Sequence, residues 1–258
     1  MQNLYPLFER NRILKKELLW SLRDYSFAHI QLEYQEYEQG ILRGCEIKVQ
    51  ENELILGQGI LKYGRFVCLL TEEEHISYTP AEQMQYLKLR VEIDSTSQDY
   101  IAYQMETFLT TDENKKENEF EICRFHLRSG AQLRDHYRDF ADMETEYDTV
   151  NLIHADWGGL GGRTIAPVVI KDFSRLVLEC GNSLPEDYSF AYMCLSMPGS
   201  VPIQVLAAYI RNRTKDRLDI QMSNQSVYQS MCNIIDEIRK GGERRIGDKK
   251  QRHKILVD

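Results

Sequence analysis

Three stretches carry residue types that could do chemistry. Trp157-Gly158-Gly159-Leu160-Gly161-Gly162-Arg163-Thr164 places four glycines and an arginine just ahead of a helix-like run. Backbone N–H groups bare of side chains, with a guanidinium beside them, can receive an anion. The spacing fits neither GxGxxG nor the GxxxxGK[ST] phosphate loop. The expected role is therefore an adaptable loop packed under Trp157 that docks a neighbouring subunit, with Trp157 and Arg163 as contact residues. Asp139, Asp142, Glu144, Glu146 and Asp148 form an acidic run that, with His136 or His154, offers oxygen and imidazole ligands to a divalent cation. Its spacing matches no calcium loop, and a solvated acidic face turned toward a basic partner is expected instead.

Cys123 and His126 lie three apart on an alternating segment, which points them to opposite faces and prevents joint ligation of one metal. There is no GxSxG, and Ser196-Met197-Pro198-Gly199-Ser200 reads as a turn between helices. The six cysteines, Cys45, Cys68, Cys123, Cys180, Cys194 and Cys232, form no CxxC pair and sit mostly beside apolar residues, as reduced buried thiols do. No catalytic centre, metal or cofactor is expected, and the cysteine usage points to the cytoplasm.

The third stretch is basic. Residues 239–258 hold eight Lys and Arg against three Asp and Glu, a charge of +5 within a chain of net −8, which leaves −13 on the remainder. Arg244, Arg245, Lys249 and Lys250 could dock an acidic partner, and Ile255-Leu256-Val257 suits strand addition to another subunit. A polyanion-binding arm is the rival use, and it would show affinity that collapses with added salt. Nucleic acid is not expected at the acidic body.

Leu14, Leu18, Leu22 and Tyr25 recur at helical spacing after Asn11, a plausible N-cap. That helix is expected to run to about Glu38, roughly 40 Å. Its length suits an interaction arm, while a core helix is the ordinary reading of such a stripe. From Gly40 the pattern turns to β phrases punctuated by glycine, at 41–49, 53–59 and 64–70, and alternation returns at 85–93, 100–105 and 120–127. A largely antiparallel sheet follows. Beyond Ser129, Leu133, Tyr137, Phe140 and Tyr147 suit one helical face, and further helices are expected at Pro167–Cys180, Pro185–Ser196, Pro202–Arg213 and Ser223–Lys240, the last stopped by Gly241-Gly242. The longest wholly apolar run, Phe190–Leu195, is too short to span a bilayer. The fold class is α+β: an N-terminal helical arm at 1–39, a β module at 40–129, a helical bundle at 130–240 and a basic tail at 241–258.

Gly40-Ile41-Leu42-Arg43-Gly44-Cys45-Glu46-Ile47, then Leu54-Ile55-Leu56-Gly57-Gln58-Gly59-Ile60 and Gly64-Arg65-Phe66-Val67, resembles a β module recurrent in phage-tail and baseplate proteins. The whole chain, with its Leu4-Tyr5-Pro6-Leu7-Phe8 opening, also resembles proteins of Gram-positive bacteria encoded beside contractile injection systems, some of them labelled helicases. The chain has no GxxxxGK[ST] phosphate loop, so nothing in it supports that label. The resemblance implies a structural baseplate or tail-associated subunit within a multi-copy assembly, contacting other tail or baseplate subunits. It transfers no site residues. The alternative is a cytoplasmic nucleic-acid-associated protein that uses the basic tail.

Overall fold

A computed structural model describes residues 13, 15–97, 101–214 and 223–251, with residues 242–251 described by backbone alone. Among the described residues the first element is α1 (Lys16–Glu33), followed by nine strands: β1 (Gly40–Gly44), β2 (Ile47–Gln50), β3 (Glu53–Leu56), β4 (Gly59–Tyr63), β5 (Phe66–Leu70), β6 (Glu74–Ser77), β7 (Gln85–Asp94), β8 (Ala102–Thr110) and β9 (Glu119–Phe125). A single 3-10 turn (Ala141–Glu144) precedes a short hairpin of β10 (Trp157–Gly159) and β11 (Gly162–Thr164). Four helices follow: α2 (Pro167–Glu179), α3 (Pro185–Ser196), α4 (Ile203–Thr214) and α5 (Asn224–Gln251). The architecture is α+β.

The strands form three sheets, ordered β11-β10-β1-β4-β5, β2-β3-β6 and β8-β7-β9. Every named pairing is antiparallel except β1 with β10. The expected strand at 41–49 is in fact two strands in different sheets. Gly44 and Cys45 have φ of 67° and 55°, and two successive left-handed residues turn the chain out of one sheet and into the next. Glycine is required at position 44, because a Cβ there would lie 2.1 Å from the Gln58 carbonyl oxygen.

Three further expectations are corrected. Leu133 and Phe140 are buried as expected, but no helix joins them. Asp side chains take the backbone donors that a helix would use: Arg138 N–H donates to Asp142 Oδ2 at 2.8 Å and Asp142 N–H to Asp139 Oδ1 at 3.0 Å. α1 stops at Glu33, residues 34–36 form a turn and Tyr37 bridges Leu160; the expected N-cap Asn11 lies outside the described residues. α5 continues through Gly241-Gly242 to Gln251, Gly241 taking helical backbone where a C-terminal stop needs φ > 0.

Two cores result. Leu54, Leu56, Leu87, Leu89, Phe120 and Phe125 centre the β core, and Phe173, Ile170, Leu206, Ile210, Tyr228 and Ile234 the helical one. Pro167 and Pro185 open α2 and α3 with the φ their first turns need and no donor to waste. Asp187, fully buried, accepts from Leu184 N–H at 2.8 Å and from the Tyr209 hydroxyl at 2.8 Å, tying the start of α3 to α4. Leu152 and Trp157 pack against both cores and join them. No described helix is long and apolar enough to cross a membrane.

Candidate functional site

The glycine segment is a hairpin, and it closes on the chain itself. Glu38 N–H donates to the Gly159 carbonyl at 2.9 Å, Gly161 N–H to the Glu36 carbonyl at 3.1 Å, and Tyr37 bridges Leu160. Gln204 and Ser200 side chains hold the outer carbonyls of Gly161 and Gly158. A Cβ at Gly158 would stand 2.2 Å from the Glu38 carbonyl oxygen, so glycine is there to let two backbones meet. The amide of Gly161 that an anion would need already has an acceptor. Trp157, half-buried, lines two cavities.

Behind the hairpin lies a polar cavity of about 350 Å³. Asp156, buried, accepts from Lys115 Nζ at 2.6 Å and Glu121 N–H at 2.7 Å, and Arg163 reaches it only at 3.4 Å, with its side chain 52% exposed. Arg124 makes a bidentate pair with Glu121 at 2.6 and 2.9 Å and lies over the Tyr86 ring. Three cations (Lys115, Arg124, Arg163) face three carboxylates (Glu113, Glu121, Asp156). Burial, reinforced by the Arg124 charge, pushes the His154 imidazole down to about 4, so it is neutral at pH 7. The cavity carries no excess charge to draw in an anion and serves to weld β9 to the hairpin.

The acidic run also divides into separate pairs. Arg134 grips Asp142 with both terminal nitrogens, one at 2.6 Å, and holds its carboxyl far below the usual carboxylate range. Arg128 pairs with Asp148, and Gln225 with Glu144. Cys123 is fully buried, which pushes its thiol up, while His126 packs its ring 4.6 Å from that of Tyr147. Among the described residues no group of three or more His, Cys, Asp or Glu is placed to hold a metal ion.

The surface that stands out is α1. None of its residues is buried. Leu19, Trp20, Leu22, Tyr25, Phe27 and Leu32 are 43% to 69% exposed and share one helix, unlike singly scattered apolar residues that need no explanation. The helix is nonetheless held at its base. Lys62, from β4, donates from Nζ to the carbonyls of Tyr34, Gln35 and Tyr37 at 2.9, 3.0 and 2.6 Å. α1 has no basic residue in its own last turn, so Lys62 supplies the positive charge that its C-terminal carbonyls favour. Tyr34, buried, packs edge-on against Tyr37 at 5.3 Å. α1 is thus an arm with a fixed root and an unpacked body.

Of the residues the sequence singles out, Trp157 and Arg163 come together beside Asp156. Arg244, Arg245, Lys249 and Lys250 lie on the helical backbone of α5 without described side chains, and Ile255, Leu256 and Val257 fall outside the described residues. Sequence reasoning missed Lys62 and the Lys115–Asp156 pair. Neither has a local signal, since each joins residues 25 or more positions apart.

No protein-family model and no curated protein matches the chain. Among solved structures it is similar to a crystal structure of TssK, with 8% identity and a TM-score of 0.41 over 93% of this chain and 69% of that one. It is also similar to a chain of the TssK-TssF-TssG baseplate subcomplex of the type VI secretion system, with 8% identity and a TM-score of 0.40 over 93% of this chain and 100% of that one. Likeness at this level is one of outline and assigns neither family nor function.

Proposed function

We propose that the chain is a structural subunit of the baseplate or tail of a contractile injection system or phage-like particle, assembled in the cytoplasm through contacts with other tail or baseplate subunits. It acts by assembly and not by turnover, without a cofactor. The observation that carries this reading is the arm: an 18-residue helix with no buried residue, six large apolar side chains in the open and a root clamped by Lys62. A helix of that composition is stable when its apolar face is covered, and the described residues do not cover it. The resemblance of Gly40–Thr71 to a tail and baseplate β module supplies the class of partner.

Purification of the tagged chain from cells that make such particles tests the proposal. Sheath, tube or baseplate subunits should accompany the native chain and be lost from a Leu22→Glu/Tyr25→Glu variant that folds normally. A native chain that stays monomeric and never enters particles contradicts it.

A further inference from the structure

We propose that the outer edge of β5 receives residues 254–258 of a neighbouring copy of this chain as an added antiparallel strand. This goes beyond the function proposed above, because it concerns contacts between copies and is testable with the purified chain alone.

β5 ends the five-stranded sheet. It is joined to β4 by the two-residue turn Gly64-Arg65, with Gly64 at φ 56°, and the register pairs Tyr63 with Phe66, Leu61 with Cys68 and Gly59 with Leu70. In a two-residue hairpin the pair that closes the turn exchanges both hydrogen bonds, and every second pair does so after it. Phe66, Cys68 and Leu70 therefore bond inward, and the N–H and C=O groups of Val67 and Leu69 face outward. Among the described residues neither of those amides has a partner outside the sheet. Phe66-Val67-Cys68-Leu69-Leu70 contains no lysine, proline or bulge, the devices that blunt an edge strand. Leu69 is 40% exposed. At the start of the strand, Ala28 and Leu32 of the arm, with Phe66, Val67 and Ile101, line a space of about 890 Å³. An open edge gives an added strand its backbone partners, and apolar side chains beside it give cover.

Charge selects the occupant and its direction. Arg65 precedes β5, and Glu72, Glu73 and Glu74 follow it, all exposed and none in an ion pair among the described residues. The segment beyond α5 reads Arg252, Lys254, then Ile255-Leu256-Val257, then Asp258. Laid antiparallel on β5, its cations meet the glutamates, its three apolar residues run along Leu70 to Val67, and Asp258 reaches Arg65. Laid parallel, every charge faces its like. A neighbouring copy is the donor because α5, which leads into the segment, packs on α2 and α4 in the helical core, while β5 is the sheet edge opposite β11, the strand that α4 contacts. Donation from copy to copy is head-to-tail, and it builds rings or rows according to the rotation at each step.

Sedimentation of the purified full chain should show concentration-dependent association. Leu69→Pro removes an outward donor without touching the β4 ladder, and Ile255→Lys/Val257→Lys spoils the donated strand. Each variant alone should be monomeric, and an equimolar mixture should stop at the dimer, having one open edge and one intact strand. Glu72→Lys/Glu73→Lys, placed in exposed chain, should weaken association about tenfold or more even if the proline variant fails to fold. Native chain that is monomeric at concentrations on the order of 100 μM overturns the proposal. If Val67 and Leu69 amides are then protected from exchange, the chain's own strand or another segment covers the edge, and if they are not, the edge awaits a different protein. Association undiminished in the strand and charge variants also overturns it.

Discussion

Replacing Lys62 by methionine removes the one charge that roots the arm while keeping the stem that packs along β4. Three N–H···O bonds are lost, from 2.6 to 3.0 Å. A hydrogen bond from a charged donor contributes about 1.5–3 kcal/mol net, and a cation at a helix C-terminus about 0.3–1 kcal/mol. The three do not add, because they share one ammonium and because the Gln35 carbonyl sits in exposed chain where water replaces the lysine. The expected cost is about 2 kcal/mol, or a roughly thirtyfold rise in local opening. It falls on the root alone, since α1 buries nothing in either core. Amide exchange reads it directly. The N–H groups of Tyr34, Tyr37 and Glu38, which donate to Ile30, Tyr34 and Gly159, should exchange roughly thirtyfold faster in Lys62→Met. Amides of β7 and α2 should keep their rates, and Tm should move by no more than about 2 °C. Unchanged exchange at the three root amides would show that the lysine is ornamental. Equal acceleration in β7 would show that the arm belongs to the core, and either result refutes the fixed-root account.

Other perturbations separate packing, strain and charge. Gly158→Ala drives a Cβ to within 2.2 Å of the Glu38 carbonyl and should cost about 3 kcal/mol or more in urea denaturation, while Gly64→Ala, at φ 56° with nothing within 4 Å, should cost only about 1 kcal/mol. Lys88 is buried and spans from the β core to the carbonyls of Asp112 and Asn114 at 2.7 and 2.6 Å, both in exposed chain. Lys88→Met should therefore stay within about 1 kcal/mol of the native chain, whereas Lys88→Ala leaves a cavity and should lose about 2–4 kcal/mol; equal urea midpoints for the two would count against this. His154 is held down to about 4 by burial, so the unfolded chain binds its proton first as pH falls below about 6.5. Stability should decline between pH 6.5 and 4, by on the order of 1–2 kcal/mol after allowance for solvent screening, and His154→Gln should flatten that limb of a pH series of urea midpoints.

Much of the fold was legible because local signals carried it. Pro167 and Pro185 mark helix starts that fall where the structure puts them, and the alternation at 85–93 and 120–127 becomes β7 and β9. Where tertiary contacts decided, the sequence misled. Leu133, Tyr137 and Phe140 keep helical spacing, yet Asp139 and Asp142 bind the backbone donors and leave one 3-10 turn. The four glycines at 158–162 look like a ligand loop, and only the approach of residues 36–38 reveals that they make room for backbone. The arm is the converse case. Its stripe reads equally well as a core helix or as an interface, because periodicity records which face is apolar and not what covers it. The charge asymmetry of the C-terminal segment was plain from composition, but the open edge of β5, with Glu72, Glu73 and Glu74 after it, lies far back along the chain, and only the sheet order exposes that edge.

The most direct test of the assembly role is photo-crosslinking from the arm inside cells that build contractile particles. A photoreactive side chain at Trp20 or Tyr25, both exposed on α1, should yield a discrete adduct with a sheath, tube or baseplate subunit, and that adduct should vanish when the particle genes are deleted. Crosslinks confined to the chain's own body, or none at all in particle-forming cells, would contradict the assignment of α1 as a partner-binding arm and with it the proposed function.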